Sequence, residues 1–229
     1  MKYLITSFIL LLTIQINAQK LDLSLVKNLE PREIGPSGMS GRITAIDVVT
    51  SNPDIMYAGS ASGGLWKSTS GGVKWEPIFE DQPTASIGAV AIQQSNPSVI
   101  WVGTGEGNPR NSLNGGYGIY KSLDGGKSWQ SMGLENTRHI HRVVIDPTNP
   151  NIIYAGAIGS PWGEHPERGV FKTTDGGKTW KKVLFVNNKT GAADLIMDPS
   201  NPNKLMAAMW EHKRDPWFKN LAVKALDFI

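Results

Sequence analysis

The chain has 229 residues, a formal net charge of +3, 19% charged residues and no cysteine. No long run of Lys or Arg occurs, so nucleic-acid binding has no footing. The missing thiols exclude disulfides, a lipidated cysteine, a thiol nucleophile and a thiolate metal site.

Residues 1–18 read as a secretion signal: Lys2 is followed by an apolar run from Tyr3 to Ile16 and a small-residue cleavage point at Asn17-Ala18. The run is too short and wrongly flanked for a spanning helix, so no membrane span is expected once it is removed. Residues 19–41 form a lead, and the chain is expected to work outside the cytoplasm. With 25 Gly and 14 Pro, the rest carries the turn punctuation of many short strands.

From residue 42 a phrase recurs with a period of about fifty residues, which marks an array of supersecondary units. Each unit opens with an apolar run: Ile43–Val49, Ile87–Ile92, Val143–Ile145 and Ala193–Met197. Each run is followed by Asn-Pro, which starts a turn because Pro fixes its φ and Asn bonds nearby backbone. Second strands are expected at Ile55–Gly59, Val99–Gly103, Ile152–Gly156 and Leu205–Ala208. Third strands are expected at Gly64–Ser68, Gly118–Ser122 and Gly169–Thr173, and a fourth strand starts at each tryptophan. Four antiparallel strands per unit describe a propeller blade. The reading is an all-β, incomplete β-propeller with blades at about 42–83, 84–136, 137–187 and 188–219.

The third strands lead into Ser68-Thr-Ser70-Gly-Gly-Val-Lys-Trp75, Ser122-Leu-Asp124-Gly125-Gly126-Lys-Ser-Trp129 and Thr173-Thr-Asp175-Gly176-Gly177-Lys-Thr-Trp180. Two readings of the aspartates compete. They could be catalytic, or each could bond the backbone of its own turn while the tryptophan buries against the blade. Ser70 replaces the aspartate in the first copy while the pattern survives, which favours the turn.

Because blade strands alternate in direction, the Asn-Pro and Gly-Gly turns share one face. The loops from strand two to strand three share the other. Those loops are unequal: Ser60 to Gly63 is short, whereas Thr104 to Tyr117, Ala157 to Arg168 and the stretch from Met209 are long. Insertions on one face mark a binding face. The loops carry Glu106, Arg110, Trp162, Glu164, His165, Glu167, Arg168, Trp210, Glu211, His212, Arg214 and Trp217. Trp beside carboxylates and Arg suits a glycan or peptide ligand. Each Trp could also staple only its own loop. Glu106, Glu164 and Glu211 are the candidate catalytic carboxylates. At the starts of first strands stand Arg42, Arg138, His139 and His141. The histidines could join Glu164 or His165 at a metal, but ordinary channel lining is the simpler reading, so no metal and no cofactor are expected.

The Gly-Gly phrase is identified as the Asp-box. With Arg32-Glu-Ile-Gly-Pro-Ser-Gly-Met-Ser-Gly-Arg-Ile43, the mature chain resembles secreted bacterial sortilin-like Asp-box (BNR-type) propeller proteins. The resemblance implies the fold but no single activity, since sialidases, xyloglucan hydrolases and binding receptors share the motif. Sialidases imply an Arg-Ile-Pro lead-in, and here Arg42-Ile43-Thr44 lacks the proline. Xyloglucan hydrolases imply an Asp in Tyr-Ala-Arg-Thr-Asp-x-Gly-Gly, and here Tyr57-Ala-Gly-Ser-Ala-Ser-Gly-Gly64 places Ala61 at that position. The chain is therefore read as a module that binds a glycan or protein. The alternative is a glycoside hydrolase with catalytic residues partly beyond this sequence. Shifting residues 220–229 by one reading frame restores a Gly-rich approach like Gly115–Tyr120. Those ten residues are accordingly expected to be out of frame, with further blades of the chain or self-association completing the sheet edge.

Overall fold

The computed structural model describes residues 42–110, 112–214 and, for the backbone alone, 226–228, all within one compact unit, Gly35–Ile229. The expected signal (1–18), the lead (19–41), Trp217 and residues 220–225 lie outside the described residues.

Three four-stranded antiparallel sheets follow one another, each in simple sequence order. The first comprises β1 (Ile43–Val48), β2 (Met56–Ser60), β3 (Leu65–Ser68) and β4 (Glu76–Pro77). The second comprises β5 (Ile87–Ile92), β6 (Ile100–Thr104), β7 (Ile119–Ser122) and β8 (Gln130–Ser131). The third comprises β9 (Ile140–Ile145), β10 (Ile153–Ala157), β11 (Gly169–Thr173) and β12 (Lys181–Leu184). A fourth sheet has β13 (Thr190–Asp198), β14 (Asn201–Glu211) and β15 (Leu226–Phe228). The first strands line up side by side, β1 against β5, β5 against β9 and β9 against β13. This is the blade arrangement of an all-β propeller, and among the described residues its sheets do not close into a ring. Ile46 on β1 is 62% exposed, whereas Val90 and Val143 at the matching register of the next two blades are 9% and 8% exposed.

Several expectations shift in detail: β14 runs on to Glu211, so Met209, Trp210 and Glu211 lie in a paired strand and not in the loop expected from Met209, and β13 begins at Thr190 instead of Ala193. The third blade's first strand begins at Ile140, earlier than the apolar run suggested, because His139 and His141 are buried with it. Each fourth strand starts one residue after the tryptophan. In the fourth unit Asn201-Pro202 lies inside β14 instead of in the turn, since Asp198 pairs with Asn201 and Asp198 accepts the Ser200 N–H and hydroxyl. Leu226–Phe228, within the tail, pairs with β14 as a third strand.

The Gly-Gly turns are built by short side chains. The Ser122 hydroxyl accepts the Gly126 N–H at 2.8 Å and donates to Asp124 at 2.8 Å. Asp124 accepts the N–H groups of Lys127 and Ser128 and the Ser128 hydroxyl. Thr173, Asp175 and Thr179 repeat the pattern. These bonds favour the charged carboxylate and hold both aspartates well below the usual range, the Ser128 and Thr179 hydroxyls acting most strongly. In the first copy the Ser70 hydroxyl accepts the Lys74 N–H at 2.8 Å, so a hydroxyl substitutes for the carboxylate.

The tryptophans do more than bury against their own blade. Trp129 donates its indole N–H to the Ile78 carbonyl of the preceding blade, and Trp180 donates to the Met132 carbonyl. Gly126 and Gly177 have φ of 93° and 96°, and a Cβ there would meet Ile78 at 2.6 Å and Trp101 at 2.5 Å. The turn is thus also the joint between blades. Trp75 donates to the carbonyl of its own turn, at Gly72.

Candidate functional site

Hydrogen bonds separate the two faces. On one, the Gly-Gly turn leans on the Asn-Pro turn of its own blade: Gly71, Gly125 and Gly176 donate to the carbonyls of Asp54, Ser98 and Asn151. On the other, the residue after each second strand bonds the start of the first strand. Ala61, Gly105 and Ile158 donate to the carbonyls of Arg42, Ser86 and His139. The long loops therefore meet the starts of β1, β5 and β9, and the candidate residues gather on this loop face.

The floor of this face is a buried polar network. Glu106 is 0% exposed and takes both arms of Arg42, Nε at 3.2 Å and a terminal nitrogen at 2.7 Å. Its backbone N–H donates to the Ser86 hydroxyl and its carbonyl meets His139 Nδ1 at 2.7 Å. One residue thus joins three blades. Arg168 is 1% exposed and donates to the carbonyls of Ile158, Ser160, Gly163 and His212, tying the third blade's loop to the fourth sheet. The Arg214 N–H donates to the Pro161 carbonyl, and Trp210 stacks on His212 with ring centroids 4.5 Å apart.

Burial sets the protonation of this floor. Loss of water pushes His139 and His141 down to about 4 and His212 down to about 3, and His165 is lowered for the same reason. Arg168 and the other arginines add to the effect, so all four histidines are neutral near pH 7. Both ring nitrogens of His212, Nδ1 of His141 and Nε of Arg168 and Arg214 are buried without a hydrogen-bond partner among the described residues. A cavity of about 280 Å³ runs between β1, β5 and β9, lined in part by Thr44, Gly88, His141 and Arg142. Arg142 is paired with Asp194 on β13 at 2.6 Å, a tie between blades that periodicity did not suggest.

The expected exposed constellation is therefore split by depth. Glu106, His139, His141, His212 and Arg168 are buried and Trp210 is partly covered, because the starts of four blades converge over them. Trp162 (48% exposed), Glu164, Arg110 and Arg138 remain exposed. Glu164 lies 3.5 Å from Lys189, and Glu167 lies 3.7 Å from Lys182. Ala61 is fully buried. The histidines do not assemble a metal centre: among the described residues no group of three or more His, Asp or Glu could hold an ion. No helix among the described residues is long and apolar enough to cross a membrane. The bridging Ser86 was missed in the sequence; its only signal was its position just before the second blade's first strand.

No protein-family model matches the chain. It is similar to a xyloglucanase of Paenibacillus sp., 25% identical over 174 residues, which is 70% of this chain and 16% of that protein's length. Among solved structures it is similar to an ancestral GH74 enzyme, with a TM-score of 0.60, 24% identity and coverage of 79% of this chain and 23% of that one. It is also similar to the GH74 enzyme of Niastella koreensis, with a TM-score of 0.55, 26% identity and coverage of 72% and 24%. These likenesses support the β-propeller fold and a glycoside-hydrolase-like relationship at low identity.

Proposed function

We propose that the chain is the glycan-binding part of a secreted, sortilin-like Asp-box propeller protein that holds a polysaccharide on its loop face without cleaving it. The carrying observation is the fate of the carboxylates. Ala61, at the position where the xyloglucan-hydrolase resemblance implies an acid, is a fully buried methyl group. Glu106, the nearest carboxylate along the matching loop of the next blade, is locked to Arg42 with no exposed surface. Hydrolysis by a carboxylate pair needs two groups that reach the scissile bond. Trp162, half exposed beside polar loop residues, instead offers the flat apolar face that stacks on a sugar ring.

The test is calorimetric titration with xyloglucan and other soluble polysaccharides, beside an assay for released reducing ends. Saturable binding without turnover is expected, with Trp162→Ala weakening it about tenfold. Turnover by the purified chain overturns the reading.

The similarity to xyloglucanases favours a second reading, a glycoside hydrolase that uses Glu164 or Glu211 with groups outside the described residues. It expects Glu164→Gln or Glu211→Gln to abolish turnover while leaving binding intact.

A further inference from the structure

We propose that the ligand of the loop face is an anionic polysaccharide, with Arg138 as the anchor for its carboxylate or sulfate groups and Trp162 as the platform for its sugar rings. This rests on the glycan-binding reading above and names the ligand class.

The first observation is the backbone at Arg138. Its φ is 63° and ψ −37°, a positive-φ, γ-turn geometry that side-chain-bearing residues rarely adopt. The conformation is clamped from both sides. The Arg138 carbonyl accepts the Gly116 N–H at 2.6 Å, while His139 donates its N–H to Thr137 at 2.7 Å and sets its ring against the Glu106 carbonyl. A strained residue that the surroundings over-determine is a mark of a working site. Here the arginine side chain held in this way is exposed, and it makes no hydrogen bond or ion pair among the described residues.

The second observation is the charge balance of the face. Among the described residues, the strand-two-to-three loop carboxylates are paired, Glu106 with Arg42, Glu164 with Lys189 and Glu167 with Lys182, while Glu211 at the end of β14 acts on Arg168; Glu135, on the turn before Arg138, accepts the Ser131 hydroxyl. Arg110 and Arg138 are exposed with no carboxylate partner among the described residues, and Arg214 keeps a buried Nε without a hydrogen-bond partner among them. The neutral histidines beneath add no negative charge. Two exposed guanidinium groups over a low-dielectric floor attract an anion more strongly than the same charges would in open water.

The third observation is placement. The His139 carbonyl, next to Arg138, accepts the Ile158 N–H, and Arg168 donates to the carbonyls of Ile158, Ser160 and Gly163, the last two on either side of Trp162. The anchor and the platform thus stand over one buried network. An Arg fork meets a carboxylate or sulfate in two-point geometry while the indole face covers the ring.

The experiment is titration of the full chain with polygalacturonate, chondroitin sulfate and neutral xyloglucan, at ionic strengths of about 0.05 and 0.5 M. The key variant is Arg138→Gly, which removes the guanidinium at a positive-φ position; its thermal unfolding is measured beside the parent's so that a folding defect is told apart from lost binding. It is expected to weaken anion binding about tenfold or more. Lys127→Gln, a charge loss on the opposite face, is expected to leave binding unchanged. Binding of polygalacturonate alone assigns a carboxylate, and binding of chondroitin sulfate alone assigns a sulfate; both support the proposal when salt and Arg138→Gly weaken them. Salt-insensitive binding of xyloglucan alone, unchanged in Arg138→Gly, overturns the proposal and leaves the glycan-binding reading standing. Equal loss in Lys127→Gln also overturns it, since the attraction would be unspecific. Binding of none of the three overturns both.

Discussion

Glu106→Gln separates a strut from a catalyst. The wild-type carboxylate is fully buried, bonds Arg42 through both oxygens, and belongs to a residue that also meets Ser86 and His139. The amide keeps the shape but loses the charge, leaving Arg42 without its counter-ion and with one amide N–H group facing a donor. Breaking a buried ion pair from one side costs about 3–5 kcal/mol. The Arg42 side chain is 29% exposed, so water recovers part of that, and a loss of about 2 kcal/mol is expected. For a chain of this size that lowers the melting temperature by about 4–8 °C. Urea unfolding followed by tryptophan fluorescence measures it, and the double variant with Arg42→Met should recover most of the loss. A change under about 0.5 kcal/mol in Glu106→Gln, outside the range expected for a buried pair, would refute the strut.

Three further outcomes are expected. Asp124→Ser should shift the urea-unfolding midpoint little, because Ser70 already fills the equivalent place in the first turn, whereas Asp124→Ala should lower it clearly. Gly126→Ala should destabilise by more than about 1 kcal/mol, since a Cβ would add strain at φ 93° and collide with Ile78; melting temperature checks it. The folded chain depresses His139 and His141 to about 4 and His212 to about 3, so the unfolded state binds protons first on acidification. Stability held above pH 6.5 is therefore lost as pH falls towards 4, with a slope of up to about 1.4 kcal/mol per pH unit for each histidine. His212→Asn should flatten the denaturation curve over that window.

The local pieces of this protein were written in the sequence. Apolar alternation set the strands, Asn-Pro and Gly-Gly set the turns, and their period set four similar sheets, because each signal acts within a few residues of itself. Face assignment followed too, since strand direction alternates, and the hydrogen bonds from Gly125 to Ser98 and from Gly105 to Ser86 agree with it. The turn aspartates were legible for the same reason: Asp124 bonds Lys127 and Ser128, its own neighbours. Depth was not legible. Trp162 and Trp210 look alike along the chain, and so do Glu106 and Glu164, yet Trp210 is partly covered and Glu106 fully buried while Trp162 and Glu164 are open. Only packing of the blades against one another decided that. It brought Arg42 to Glu106 across 64 residues and Trp129 to Ile78 across 51, contacts for which no short pattern exists. Sequence thus determined the blade, and tertiary structure decided which loop residues became floor and which remained free for a ligand, because burial depends on all the blades at once.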